Sequence, residues 1–434
     1  MNFPRPLCLA ALASSLAAQQ LDEGYAAVVR TLPSTAGNVL ALPGDAFAWF
    51  DGNDLWHRSP GQPPRSLLHF AVPVFGSFTI AIDSNTLLFG ENSTHGLWLV
   101  PLHGVPANTP LANVVFNYDA ALLGPGHALV SAKATGFGTP DNDLVVVDLG
   151  TGATQLLARL PGASGPVTIA GNGDVYYATS SLSFPTPPGQ TAVLRLRRAV
   201  VDQALAAQQV LTVAQTELVL AGLDAAADLA FDDDGDLLFT DWWNNTVGEL
   251  NDATGPTPSL GVLLDYTGAA VSASGVQFTA GVGSGVFEPF QPAGGTLWVH
   301  EQTFGTVSQL RQVAAARPTL TCAAGNPVPA GTFPLHLDHG PRLGAGVLAV
   351  GFGPAGGGPN LTVPGFEQPL PWDATLGGAI AAWFVTYDAT GSAVVHLHNP
   401  GIAPVLQCLF QAACIDAAGI RIGSTSPLAL PLGQ

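Results

Sequence analysis

From about residue 35 to residue 318 the chain repeats one phrase: a short apolar stretch, a Gly/Asp/Asn turn, a second apolar stretch, then a polar break. It reads Ala46-Phe-Ala-Trp-Phe-Asp-Gly-Asn-Asp-Leu-Trp56, then Phe78-Thr-Ile-Ala-Ile-Asp-Ser-Asn-Thr-Leu-Leu-Phe89, then Val167-Thr-Ile-Ala-Gly-Asn-Gly-Asp-Val-Tyr-Tyr177. The clearest copy is Asp228-Leu-Ala-Phe-Asp-Asp-Asp-Gly-Asp-Leu-Leu-Phe-Thr-Asp241. Weaker copies cover 120–130 and 276–299, the latter with an insertion after Gly275. Each copy is a hairpin signal, two strands around turn residues that tolerate positive φ. Six copies at about 47 residues each match the four-strand unit of a β-propeller. A single sheet of this kind cannot bury both faces, whereas radial stacking of six can. An irregular β-sandwich is the competing fold, because the spacing is uneven. Residues 199–223, rich in Ala, Gln and Leu, have helix propensity, but an outer strand plus loop suits the repeat better.

Past residue 318 the phrase stops. Gly- and Pro-broken strands follow at 333–337, 347–352, 381–387, 393–398 and 406–415, a density that suits a compact β-sandwich. The expected class is therefore all-β: a six-bladed β-propeller over 19–318 and a smaller C-terminal β-sandwich over 319–434. Residues 1–18 read as a secretory signal peptide, with Arg5 as the only charge, an apolar run over 7–16 and small residues around Ala17 and Ala18. Cys8 lacks the small residues before it that a lipid anchor requires. The expected address is secreted, extracellular or periplasmic.

Composition narrows the partners. Lys+Arg total 13 against 31 Asp+Glu, a net charge of −18, which argues against nucleic acid and anionic membranes. Beyond the N-terminus no apolar run approaches the ~18–20 residues of a membrane span, so no membrane insertion is expected. The acidity is concentrated in the repeat region, since 319–434 hold Arg342 and Arg421 against only five acids. Outside the leader remain Cys322, Cys408 and Cys414. Cys408 and Cys414 lie on one expected strand, about 20 Å apart, so a disulfide would need Cys322; three buried thiols are the alternative.

Aligning the copies puts Glu91, Asp241 and Glu301 at one position, just after the second strand. With Asn92, Asn244 and Asn245 they form a set of hard oxygen ligands suited to Ca²⁺ or another divalent cation. His95 and His300 can serve a softer metal or act as a general base. The simpler reading has each acid cap its own hairpin turn. Asp232-Asp-Asp-Gly-Asp236 is half a calcium loop, but no Glu follows at the twelfth position, and a turn is the better assignment. Trp242, Trp243 and Trp298 can stack a ligand or pack between blades. His336, His339, His396 and His398 can form a zinc-type cluster only if the fold unites two distant pairs. There is no Gly-x-Ser-x-Gly motif, and Lys133 is the single lysine.

The phrase ending Asp241-x-x-Asn244-Asn245-x-Val247 resembles an NHL-type or lactonase-like propeller repeat. The final ~110 residues resemble a C-terminal domain of secreted planctomycete and myxobacterial proteins, through Thr321-Cys-Ala-Ala-Gly325, Leu348-Ala-Val-Gly-Phe352, Leu370-Pro-Trp-Asp373, His398-Asn-Pro400, Leu409-Phe-Gln-Ala-Ala413 and Arg421-Ile-Gly-Ser-Thr-Ser426. The first resemblance implies a divalent metal held by Glu, Asn and Asp that polarises a carbonyl. This chain departs from that pattern, lacking the glutamate that opens a first blade and the Asn-Gly and Tyr-x-x-Asp signatures. Two functions follow. One is a secreted, non-catalytic recognition protein that holds a small molecule, glycan or peptide with Trp242, Trp243, Asn244, Asn245 and His300. The other is a lactonase-type, metal-dependent hydrolase with Glu91, Asp241 and Glu301 as ligands and His300 as base.

Overall fold

The computed structural model describes residues 20–32, 36–106, 108–133, 141–162, 165–179, 188–255, 258–281, 286–292, 294–303, 307–323, 328–352, 360–361, 370–371, 373, 376, 381–399, 401, 406–418 and 421–432. The leader, with Arg5 and Cys8, lies outside them. No helix among the described residues is long and apolar enough to cross a membrane.

Six antiparallel sheets, five of four strands and one of five, follow one another along the chain. Their innermost strands are Gly37–Leu42, Gly76–Ala81, Asp119–Gly124, Val167–Ile169, Ala226–Phe231 and Ser272–Thr279, opening blades 1 to 6 in that order. Each inner strand touches the next, and the sixth touches the first, so the ring closes as a six-bladed β-propeller.

Strand alternation explains the stacking. In blade 2, Leu87 and Phe89 face blade 1, while Leu88 between them faces blade 3. In blade 3, Ala128 and Val130 face blade 2 and Leu129 faces blade 4. The same rule gives a separate apolar cluster between every neighbouring pair of blades, including blades 6 and 1, where Trp298 meets Phe47 and Trp49. Burying a Leu or Phe side chain in such a layer contributes about 1.5–3 kcal/mol.

Two elements depart from the sequence-based expectation. Blade 6 takes its fourth strand from the N-terminus: Tyr25–Thr31 pairs with Val307–Ala315, Tyr25 opposite Ala315. Gln20–Leu21 adds a fifth strand to blade 5. Secondly, the stretch read as outer strand plus loop holds both a helix and a strand. Arg198–Ala207 is helical, and Glu217–Leu223 is the outer strand of blade 4. The helix forms because Val201 and Ala204 drop into the blade 3–blade 4 cluster. Asp174 accepts the Arg198 N–H at 2.7 Å at its start, and Gln208 ends it in the left-handed region.

After the ring, Thr319–Thr321, Gly331–Asp338 and Ala393–Asn399 form one sheet. Ala381–Thr386, Ala345–Phe352 and Leu406–Ile415 form a second, with Ile422–Ser424 and Leu428–Leu432 beyond Leu406–Ile415. Phe333, Leu335 and Leu337 of the first pack on Leu348, Val350 and Phe410 of the second, a β-sandwich core. Cys408 and Cys414 share the strand expected of them, and all three thiols are free. The sandwich touches the propeller: Arg317 donates to Ser424 O at 2.6 Å, Gln291 to Ile422 O at 3.1 Å, and Arg421 pairs with Asp22 at 2.8 Å.

Candidate functional site in the central channel

The structure does not bring Glu91, Asp241 and Glu301 together. Glu91, fully buried, accepts N–H groups from Ser93, Thr94 and Gly96 at 2.8–2.9 Å, closing its own turn. Asp241 accepts from Ala225 N at 2.9 Å and Asn244 Nδ2 at 2.8 Å within blade 5. Glu301 takes Tyr266 OH and Gln309 Nε2, both at 2.6 Å, and pairs with Arg311. Each carboxylate serves its own blade or the adjoining turn, as hairpin caps do, and none shares a donor with another. Asn245 sits in the left-handed turn after Trp242 and donates to Tyr266 O at 2.8 Å. His95 accepts the Phe116 N–H at 3.2 Å, also locally. The four C-terminal histidines do not assemble: His396 and His398 share an exposed strand face, and none of the four belongs to a metal-sized group among the described residues.

What does converge is the channel where the inner strands begin, a cavity of about 670 Å³. Of the expected ligand residues, Trp242 and His300 line it, and Asn92 does as well; Trp243, Asn244 and Asn245 are not part of its wall. Trp242 and Trp243 are 37% and 43% exposed, whereas Trp298, which also borders the channel, is 4% exposed and gives its Nε1–H to Thr279.

The channel also contains two carboxyls that the repeat alignment missed, Asp119 of blade 3 and Asp228 of blade 5. They play equivalent parts. Asp119 accepts the N–H of Ala120 and, from blade 4, that of Val167, both at 2.8 Å. Asp228 accepts the N–H of Leu229 and, from blade 6, that of Val276, both at 2.9 Å. Tyr118 OH spans from blade 3 to Ala227 O of blade 5 at 3.3 Å. Burial pushes Asp119 up to about 6, against the pull of its two N–H donors. Asp228 is raised well above the carboxylate range by burial and then by the charge of Asp119. Burial, with both aspartates nearby, raises the Tyr118 phenol as well. A sequence signal existed: Asp119 precedes Val167, and Asp228 precedes Val276, by the same 48 residues.

Three buried polar atoms on the wall have no partner: Thr79 Oγ1, Asn92 Oδ1 and His300 Nε2. The histidine tautomer follows from its neighbour. Ser274 Oγ lies 3.1 Å from the His300 carbonyl, which can only accept, so the hydroxyl proton is spent there. The same oxygen then accepts Nδ1–H at 3.1 Å, leaving Nε2 a bare acceptor. Burial holds this imidazole near pKa 4, neutral at pH 7. Asp51, a third carboxylate on the wall, is already committed to Asn53 N, Asp54 N and Trp56 Nε1. No Lys or Arg lines the cavity among the described residues.

No protein-family model matches the sequence, and no curated protein matches it. Solved structures similar to it include a luciferin-regenerating enzyme at 10% identity, with a TM-score of 0.44, covering 67% of this chain and 97% of that one. Regucalcin, a calcium-binding protein from Agrobacterium tumefaciens, is similar at 14% identity and a TM-score of 0.41, over 66% of this chain and 93% of its own. Virginiamycin B lyase from Staphylococcus aureus is similar at 10% identity and a TM-score of 0.42, over 67% and 99%. The chain's own sheet order and closed ring make its repeat region a six-bladed propeller.

Proposed function

We propose that the chain is a secreted, non-catalytic recognition protein whose central channel takes a small ligand bearing hydrogen-bond donors and positive charge. One observation carries this reading: the half-buried carboxyls of Asp119 and Asp228 line the channel, and among the described residues no Lys or Arg does. Exposed Trp242 offers a ring face over which an ammonium or guanidinium is attracted by about 0.5–2 kcal/mol. The hydrolase alternative keeps His300 in the channel but loses its three-acid metal site.

Calorimetric titration of the full chain with benzylamine, benzyl alcohol and benzoate tests this reading, with agmatine and spermidine as longer cations. Benzylamine or agmatine should bind, benzyl alcohol at least tenfold more weakly, and benzoate not at all. Trp242→Ala should weaken amine binding several-fold. If no amine binds, or if Trp242→Ala leaves binding unchanged, the proposal fails; glycan binding in place of amines would keep the channel and change the ligand class. For the address, N-terminal sequencing of the exported protein should give a start at Ala18 or Gln19, and an intact Met1 in that fraction would contradict export by cleavage.

A further inference from the structure

Two exposed aromatic residues on the channel wall, Phe75 and Trp242, come from blades 2 and 5, which stand opposite each other in a ring of six. Phe75 immediately precedes the inner strand Gly76–Ala81, and Trp242 immediately follows the second strand of blade 5, Leu237–Asp241. The strand register sets their level. Gly76 pairs with Glu91 and Ala226 with Asp241, so each inner strand starts where its second strand ends. A residue just beyond either end therefore stands at the channel mouth. Asp228 lies two residues along its strand from Ala226, about 6–7 Å deeper at the rise of a strand. Exposure follows the same gradient: Phe75 is 67% exposed, while Asp119 and Asp228 are half-buried. The channel runs from an apolar rim to an acidic interior.

Both rim residues are carried on fixed backbone. Phe75 donates its N–H to Ser93 Oγ at 3.0 Å, and its carbonyl accepts the Asn92 N–H at 2.8 Å. Val74 before it donates to Gly52 O of blade 1 at 2.8 Å, so this loop is tied to both blades it joins. Trp242 donates its N–H to Ala225 O at 2.9 Å and accepts the Asn245 N–H at 3.2 Å. The Trp243 ring stands 6.4 Å from the Trp242 ring, tilted by 35°. Single exposed hydrophobic residues are ordinary. Two aromatic anchors held rigid at one mouth give up little freedom when a ligand covers them, which favours binding there.

We propose that the channel's ligand is an amphipathic cation, whose charged head reaches Asp119 and Asp228 while its apolar body lies along Phe75 and Trp242 at the rim. This rests on the cation reading of the channel and adds the class of ligand: a primary amine or guanidine carrying an aryl or alkyl group, rather than a polyamine with charge along its whole length.

The test compares n-butylamine with 4-phenylbutylamine by calorimetric titration of the full chain. The two share a head and a four-carbon chain that matches the depth between carboxyl and rim, and differ only in the apolar body. The phenyl compound should bind about tenfold or more tightly, the gain expected from burying one ring. Phe75→Ala, at an exposed position, should keep the wild-type melting temperature and cut that ratio to about threefold or less. Equal affinity for the two amines in the wild type would overturn the inference and leave the cation reading standing. A ratio unchanged by Phe75→Ala would also overturn it, by placing the apolar body away from this rim. Absence of binding by either amine would remove the inference and the cation reading together.

Discussion

Trp242 and Trp298 bring the same ring to the same channel in different states. Trp242→Ala removes an exposed surface and should leave the melting temperature within about a degree. Trp298→Ala opens a hole between blades 6 and 1, and should cost about 3–5 kcal/mol in a denaturant titration. The aspartate pair behaves differently again. A carboxyl whose pKa is raised by folding binds its proton more tightly in the folded chain, so it favours folding at low pH and loses that contribution as pH rises through its folded value. Asp119 and Asp228 both have raised values; the charge of Asp119 helps raise Asp228, and the Tyr118 phenol beside both is raised as well. Asp228→Asn should therefore gain in melting temperature relative to wild type as pH goes from 4 to 7.5. A mutant-minus-wild-type difference that is flat or falling over that range would refute the assignment.

At the scale of elements, the hairpins were legible because strand alternation and turn residues are local signals. Phe78–Phe89 and Asp228–Asp241 show both, and both are hairpins of the ring. The strand Tyr25–Thr31 was not legible, since Tyr-Ala-Ala-Val-Val-Arg-Thr has no turn partner nearby and pairs with Val307–Ala315 from the far end of the repeats. The helix at Arg198–Ala207 was legible as propensity but lost to the repeat, which the chain satisfies by placing the helix between the third and fourth strands of blade 4. For the site, Trp242 and His300 were readable as residue types near strand ends. Asp119 and Asp228 were not, because an aspartate at a strand start looks like a turn residue until the neighbouring blade is in place. Deleting 25–31 should leave blade 6 with three strands and lower the melting temperature by more than 10 °C, read by circular dichroism; a change of a degree or two would mean the ring does not need that strand.

The whole molecule is joined where the blade 6 loop near Phe290 meets the sandwich. A Cβ at Gly423 would stand 2.5 Å from Phe290 Cβ and 2.7 Å from Phe290 O, too close for any real side chain. Gly423→Ala should therefore loosen the joint without unfolding either part, giving faster limited proteolysis near Pro318; unchanged cleavage would show that Arg317 and Gln291 suffice. Ring closure also orders events in time. A ribosome that has made blades 1 to 5 has produced an open stack with two bare faces, on blades 1 and 5, because the partner of Tyr25–Thr31 is among the last strands of the ring to emerge. The ring thus locks only after residues 307–315 have been made and have paired with Tyr25–Thr31.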